Sequence, residues 1–183
     1  MPFARLVVAA VLALSAAACA AGPCPASSKS DSATALRGPI GAPLVAQARQ
    51  ALALGQHRFT IQSLGGSVED AVALGHALRA AGARLEVDGV CWSACVHALL
   101  LVDDRHAGPG VDVRLHRAAA AGGGDLAPWR LDDGAIIQIS TAAFGAALYR
   151  QLGVPADLVT RDTAGLNMRR LAPADLARMG LQT

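Results

Sequence analysis

The chain has 183 residues, a net charge of +2, a hydrophobic fraction of 53 % and an aromatic fraction of only 3 %. That length suits one domain with a sizeable core and is short for two. The arginines are scattered and acidic runs are absent, so there is no electrostatic footprint for nucleic acid. Much of the apolar content is alanine, which implies a core of small side chains and closely approaching helices.

The N-terminus has the three parts of an export signal: Arg5, an apolar run from Leu6 to Leu14, and small residues from Ser15 to Ala21. The run is shorter than the 18 or so apolar residues of a membrane span. Two cleavage readings stand side by side. Ala16-Ala17-Ala18-Cys19 resembles a lipoprotein signal, with Cys19 lipidated as the first mature residue and the protein attached to a membrane. An ordinary signal would be cut near Ala18 or Ala21. Residues 1–21 are thus read as signal peptide, 22–35 as a Pro-, Ser- and Ala-rich tether, and 36–183 as the folded domain.

Within that domain, Leu36 to Ile40 reads as a short strand and turn. Leu44, Val45, Ala48, Ala51 and Leu52 form the apolar face of a helix. Phe59 to Gln62 alternates as a strand and runs into Gly65-Gly66. From Ser67, a plausible N-cap, a helix carries Val68, Ala71, Val72, Gly75 and Leu78 on one side, with Glu69 and Asp70 at its positive end. Another strand starts at Leu85 and leads to Cys91-Trp92-Ser93-Ala94-Cys95, after which Ala94 to Val102 reads as a buried helix.

Asp103 to Arg105 and Gly108 to Gly110 read as a polar turn. Val111, Val113 and Leu115 alternate with polar residues in a strand that ends on His116. Ala118 to Gly124 is a small-residue loop, Ile136 to Leu152 an amphipathic helix, and Ala172-Pro173-Ala174-Asp175 opens a last short helix. Alternating strands and helices predict an α/β fold with a mainly parallel sheet.

Export would place the cysteines in an oxidising compartment. Cys91 and Cys95 flank Ser93 across a helix start, where Cα atoms about 6 Å apart lie within disulfide reach. A bond there would pin the serine loop. The spacing is not that of a Cys-x-x-C redox motif, and His97 alone completes no metal site, so neither metal nor cofactor is expected.

Sites in parallel α/β sheets collect at the carboxyl ends of strands, and three strand ends here deliver Gly65-Gly66, Ser93 and His116. Each has a plain structural use. Serine before a helix is commonly a cap, a glycine pair commonly a turn, and an isolated histidine commonly a hydrogen-bonded core residue. Together they supply backbone donors, a nucleophile and a base, the parts of an acyl-transfer site. His97, one helical turn after Ser93, is the rival base. His57, His76 and His106 have no matching partners.

The succession Ser63-Leu64-Gly65-Gly66-Ser67-Val68, Cys91-x-Ser93-Ala94-Cys95, an apolar helix and a strand ending in His116 resembles the Clp-type serine peptidases. It is similar above all to exported bacterial proteins of the Clp/crotonase-like superfamily. The resemblance spans about Leu36 to Leu181 and is strongest from Gln62 to His116. It implies a stack of β-β-α units, Ser93 as nucleophile, His116 as general base, and the N–H groups of Gly65 and Ala94 as oxyanion donors. It also implies an acid that orients the histidine, and here the chain departs from the pattern. Matching Arg170 to Leu181 onto the family's C-terminal stretch puts Met168 where the aspartate belongs. Asn167 beside it, or Asp162 upstream, would have to substitute.

The expected protein is a periplasmic or membrane-anchored serine hydrolase, peptidase-like, acting on peptides or small acyl compounds as a monomer or small homo-oligomer. The Met168 departure motivates the alternative, a non-catalytic periplasmic binding protein on the same fold. An acyl-CoA enzyme of the crotonase type ranks last, because coenzyme A is not expected outside the cytoplasm.

Overall fold

The computed structural model describes residues 32–116, 126–130, 136–163 and 168–182. The expected signal segment with Cys19, most of the expected tether, the expected loop at 118–124 and Asn167 lie outside them. The first strand, β1 (Thr34–Arg37), is followed by α1 (Ala42–Ala53), β2 (Arg58–Ser63), α2 (Val68–Ala80), β3 (Arg84–Trp92) and α3 (Ala94–Leu101). Then come β4 (Asp104–Ala107), β5 (Asp112–Leu115), β6 (Leu126–Arg130), β7 (Ile136–Ser140), α4 (Thr141–Gln151), α5 (Ala156–Thr163), β8 (Arg169–Arg170) and α6 (Pro173–Arg178).

The main sheet has the order β1-β2-β3-β5-β8, parallel except for β8, which runs antiparallel to β5. The nine-residue β3 is long enough to take two partners on one side in succession. Its first half pairs with β4, from Arg84↔Asp104 to Val87↔Ala107, and its last residues pair with β5, from Val90↔Asp112 to Trp92↔Arg114. Asp104 to Ala107, expected partly as a turn, is therefore a strand. Its polar side chains do not oppose pairing, because Asp104 is exposed and Arg105 and His106 are only half buried.

One sheet face is the core. Leu36, Phe59, Ile61, Leu85, Val87, Cys91, Val113 and Leu115 are all buried, as the two-residue period of a strand requires. Helix α1 brings Leu44, Val45 and Ala48 into the core, and α2 brings Ala71, Leu74, Gly75 and Leu78. Every residue of α3 is buried. Helices α2 and α3 meet at Gly75, where an added Cβ would lie 2.6 Å from Leu101 Cβ and 2.9 Å from the Ala98 carbonyl oxygen. Arg105 anchors the end of α3, donating to the carbonyls of Leu100 and Val102 and, across to α6, of Met179.

The expected helix from Ile136 to Leu152 is divided. Ile136 to Ser140 forms β7, antiparallel to β6, and the helix begins only at Thr141. Ile136, Ile137 and Ile139 are β-branched, and a pairing partner in β6 lets that preference prevail over the helical period. Ser67 caps α2 as expected, its Oγ accepting from the Asp70 N–H, and α6 opens at Pro173.

Candidate active site

Ser93 joins β3 to α3 with φ 54° and ψ −122°, and it is the one non-glycine residue with positive φ among the described residues. Such a conformation costs about 1–3 kcal/mol for a residue with a Cβ and persists only where the surroundings impose it. Those surroundings are visible. The Ser93 N–H donates to the Arg114 carbonyl of β5 at 3.0 Å, and Cys91 and Cys95 are joined as a disulfide across the turn, with Cα atoms 5.3 Å apart. Both cysteines are fully buried, so the bond ties the end of β3 to the first turn of α3 from inside the core.

The Ser93 side chain does not cap its helix. Its Oγ lies instead 2.6 Å from His116 Nε2. Because β3 and β5 are parallel neighbours in the register Trp92↔Arg114, the residues just beyond their paired ends come together at one edge. Both side chains are half buried, within reach of a ligand.

Gly65 and Gly66 reach this edge from β2. A Cβ on Gly65 would fall 2.8 Å from Ser93 Cβ and 3.3 Å from the Ala94 nitrogen, so only glycine fits against the elbow. The Gly65 N–H, expected to face a substrate oxygen, donates instead to Ser63 Oγ at 3.1 Å. Gly66 is bridged to Ile40 through its neighbours: Ile40 N–H donates to the Gly65 carbonyl and Ser67 N–H to the Ile40 carbonyl. Strand geometry then leaves the Gly66 N–H pointing away from Ile40, and Gly66 is exposed. A Cβ there would overlap the Ile40 carbonyl oxygen. Ala94 is the first residue of α3, so its own N–H has no partner within the helix. The Gly65 N–H is thus taken up by Ser63 Oγ, while the exposed Gly66 follows it and Ala94 opens α3 at the same edge.

His97 is not a rival base at the surface. It is 2 % exposed, stacked on Tyr149 of α4 with ring centroids 4.5 Å apart, and neither ring nitrogen has a hydrogen-bond partner among the described residues. Burial, and secondarily the nearby His116, lower its pKa to about 4. His57 lies on the Ala81 carbonyl, His106 on Asp104, and His76 is exposed on α2.

The orienting acid is not found at its expected place. Continuing the β5–β8 register, Arg114↔Arg170 and Leu115↔Arg169, sets Met168 opposite His116. Among the described residues Ser93 is the one hydrogen-bond partner recorded for His116. Asp162 sits in α5, whose last residues are described for their backbone alone. No cluster of His, Cys, Asp and Glu among the described residues could hold a metal ion.

The sequence reading missed the half-exposed row beside the site. Arg114 stacks over the Trp92 ring at 4.4 Å and binds Asp112 through both Nε and Nη2. The signal was present in the alternation of β5, which puts Asp112, Arg114 and His116 on one face.

No family model matches the sequence, and no curated protein does. Solved structures are similar in fold. ClpP1 from Listeria monocytogenes superposes with a TM-score of 0.57 at 16 % identity, covering 81 % of this chain and 86 % of its own. A mutant of a membrane-bound stomatin-specific protease gives 0.57 at 13 % identity over 81 % of this chain and 75 % of its own. The ClpP protease catalytic domain from Plasmodium falciparum gives 0.53 at 14 % identity over 80 % of each chain. The chain therefore has a Clp/crotonase-like α/β fold with a mostly parallel sheet, resembling that of the Clp-type serine peptidases.

Proposed function

We propose that the protein is an exported serine hydrolase of peptidase type. The observation that carries this reading is the 2.6 Å contact between Ser93 Oγ and His116 Nε2 at a positive-φ elbow. Serine in so unfavourable a conformation, bonded to an imidazole rather than to its own helix, fits a nucleophile better than a cap.

In the proposed reaction His116 Nε2 takes the Ser93 proton as Oγ attacks a substrate carbonyl. The developing oxyanion sits between the N–H groups of Gly66 and Ala94, at the positive end of α3. Protonated His116 passes the proton to the departing amine or alcohol, leaving an acyl-serine. Water, deprotonated by His116, then releases the acid. Peptides and small acyl compounds are the substrate classes, and no cofactor enters. The N-terminal export signal and the buried disulfide support a periplasmic setting. Cleavage before Cys19 would attach the protein to a membrane through that lipidated residue, and cleavage near Ala18 or Ala21 would leave it unanchored.

A fluorophosphonate probe is expected to label the wild-type protein on Ser93, and Ser93→Ala to remove the label. Labelling that survives in the variant would reject Ser93 as nucleophile. Met168 opposite His116 favours a second reading, a binding protein that keeps the cleft alone. It predicts no labelling of the wild type and a partner affinity unchanged by Ser93→Ala.

A further inference from the structure

The nucleophile and the base sit on different strands, and with methionine opposite His116 something other than a carboxylate at that position has to hold them in register. The half-exposed face of the sheet carries such a device one residue below the pair. Trp92 immediately precedes Ser93, and Arg114 is two residues before His116, on the same face of β5 and about 7 Å away. The two are register partners across β3 and β5. The Arg114 carbonyl accepts the Ser93 N–H at 3.0 Å, while its guanidinium lies 4.4 Å above the Trp92 ring. The far edge of that guanidinium is held by Asp112, with Nε 2.9 and 3.0 Å from the two carboxylate oxygens and Nη2 2.7 Å from one of them. Arg170 of β8 approaches the same carboxylate at 3.6 Å.

We propose that Arg114 is the positioning residue of the Ser93–His116 pair, clamping the serine strand to the histidine strand from the side chain and the main chain of one residue. The proposal rests on the serine-hydrolase reading above. Arginine suits the task because its planar fork stacks on an indole and engages a carboxylate through two nitrogens at once, which an ammonium group does not do. Asp112, held below the usual carboxylate range mainly by its hydrogen bond with Arg114, stays ionised and keeps the fork in place. Without the clamp, Trp92 is released on one side and His116 can shift along β5. An error of about 1 Å in such a pair costs on the order of a hundredfold in rate.

The test measures fluorophosphonate labelling of Ser93 over a range of probe concentrations, together with the histidine ¹⁵N spectrum of the same proteins. For Arg114→Ala the limiting labelling rate is expected to fall roughly 10- to 100-fold, with the half-saturating probe concentration unchanged. Arg114→Lys should recover only part of the loss. Asp112→Asn keeps the stack but loosens the fork, and should lower the limiting rate by a smaller factor. The base role requires Nε2 to accept from Ser93 and so the Nδ1–H tautomer in the wild type, and Arg114→Ala should mix the two tautomers. A wild-type limiting rate and tautomer in Arg114→Ala would overturn the proposal. A loss confined to the half-saturating concentration would also overturn it, since Arg114 would then be a substrate contact. If Arg114→Ala does not fold, the result rests on Asp112→Asn, and a wild-type rate and tautomer in that variant overturn the clamp. A wild type that never labels, with a tautomer that still shifts in Arg114→Ala, would reject the hydrolase and leave the clamp standing.

Discussion

His97 carries a clear energetic penalty for so small a group. Both imidazole nitrogens are buried without partners among the described residues, and the compensation visible is the parallel stack on Tyr149. An unsatisfied buried polar group costs about 1–3 kcal/mol, so His97→Phe, which keeps a ring on Tyr149, is expected to raise stability by about that amount at pH 7. The same residue makes stability depend on pH. Its pKa falls from 6.5 unfolded to about 4 folded, so between those values the unfolded chain binds more protons. Stability is therefore complete above about pH 6.5 and decays as the pH falls toward 4, by up to about 3 kcal/mol. The groups facing His97 do not reverse this sign: burial raises the Tyr149 phenol, which stays neutral, and His116 itself favours the uncharged form of His97. Urea denaturation at pH 4.5, 5.5 and 7 should show the slope in the wild type and its loss in His97→Phe. Sequence could place His97 one turn after Ser93. It could not tell that the side chain points into the core, because α3 is buried on every side and has no polar face to read.

At the scale of the elements, two close approaches hold the serine in place. The Cys91–Cys95 bond joins β3 to α3, and Gly75 lets α2 lie directly against α3. Closing so short a loop is worth about 2 kcal/mol through the unfolded state. Replacing both cysteines by alanine should lower stability by roughly that much and slow probe labelling of Ser93, as read by melting and by labelling kinetics. Gly75→Ala adds helix propensity of about 1 kcal/mol. Its Cβ, however, would meet the Leu101 Cβ and the Ala98 carbonyl, neither of which can swing aside. Overpacking of about 1–3 kcal/mol should prevail, giving a net fall in denaturation midpoint. The disulfide was legible from the four-residue spacing of the two cysteines across a helix start. Gly75 showed itself only as one more small residue on the helical stripe. Strand β7 was hidden because Ile136 to Leu152 satisfies a helical period almost throughout, and its β-branched start becomes decisive only when β6 lies alongside.

Across the whole molecule, the strand order decides which residues meet. Strand β5 sits between β3 and β8, so His116 faces Ser93 on one side and, by register, Met168 on the other. Met168→Asp is accordingly expected to raise the rate of fluorophosphonate labelling tenfold or more, by giving His116 an orienting carboxylate. Loss of that carboxylate from a complete triad costs about 10⁴ in rate. An unchanged rate would mean that a carboxylate at position 168 does not reach the His116 ring. The amino-acid sequence alone determined the α/β alternation, the glycine pair, the serine between cysteines and the histidine closing a strand. These are local properties, written in period, turn chemistry and spacing. Only the tertiary structure decided that Ser93 Oγ turns to His116 rather than to its helix. It alone showed the Gly65 N–H committed to Ser63, and Arg114 joining the two strands through the Ser93 N–H and the Trp92 stack. Each of those outcomes depends on which strand lies next to which, and pairing between residues far apart in the chain leaves no period for a sequence to display.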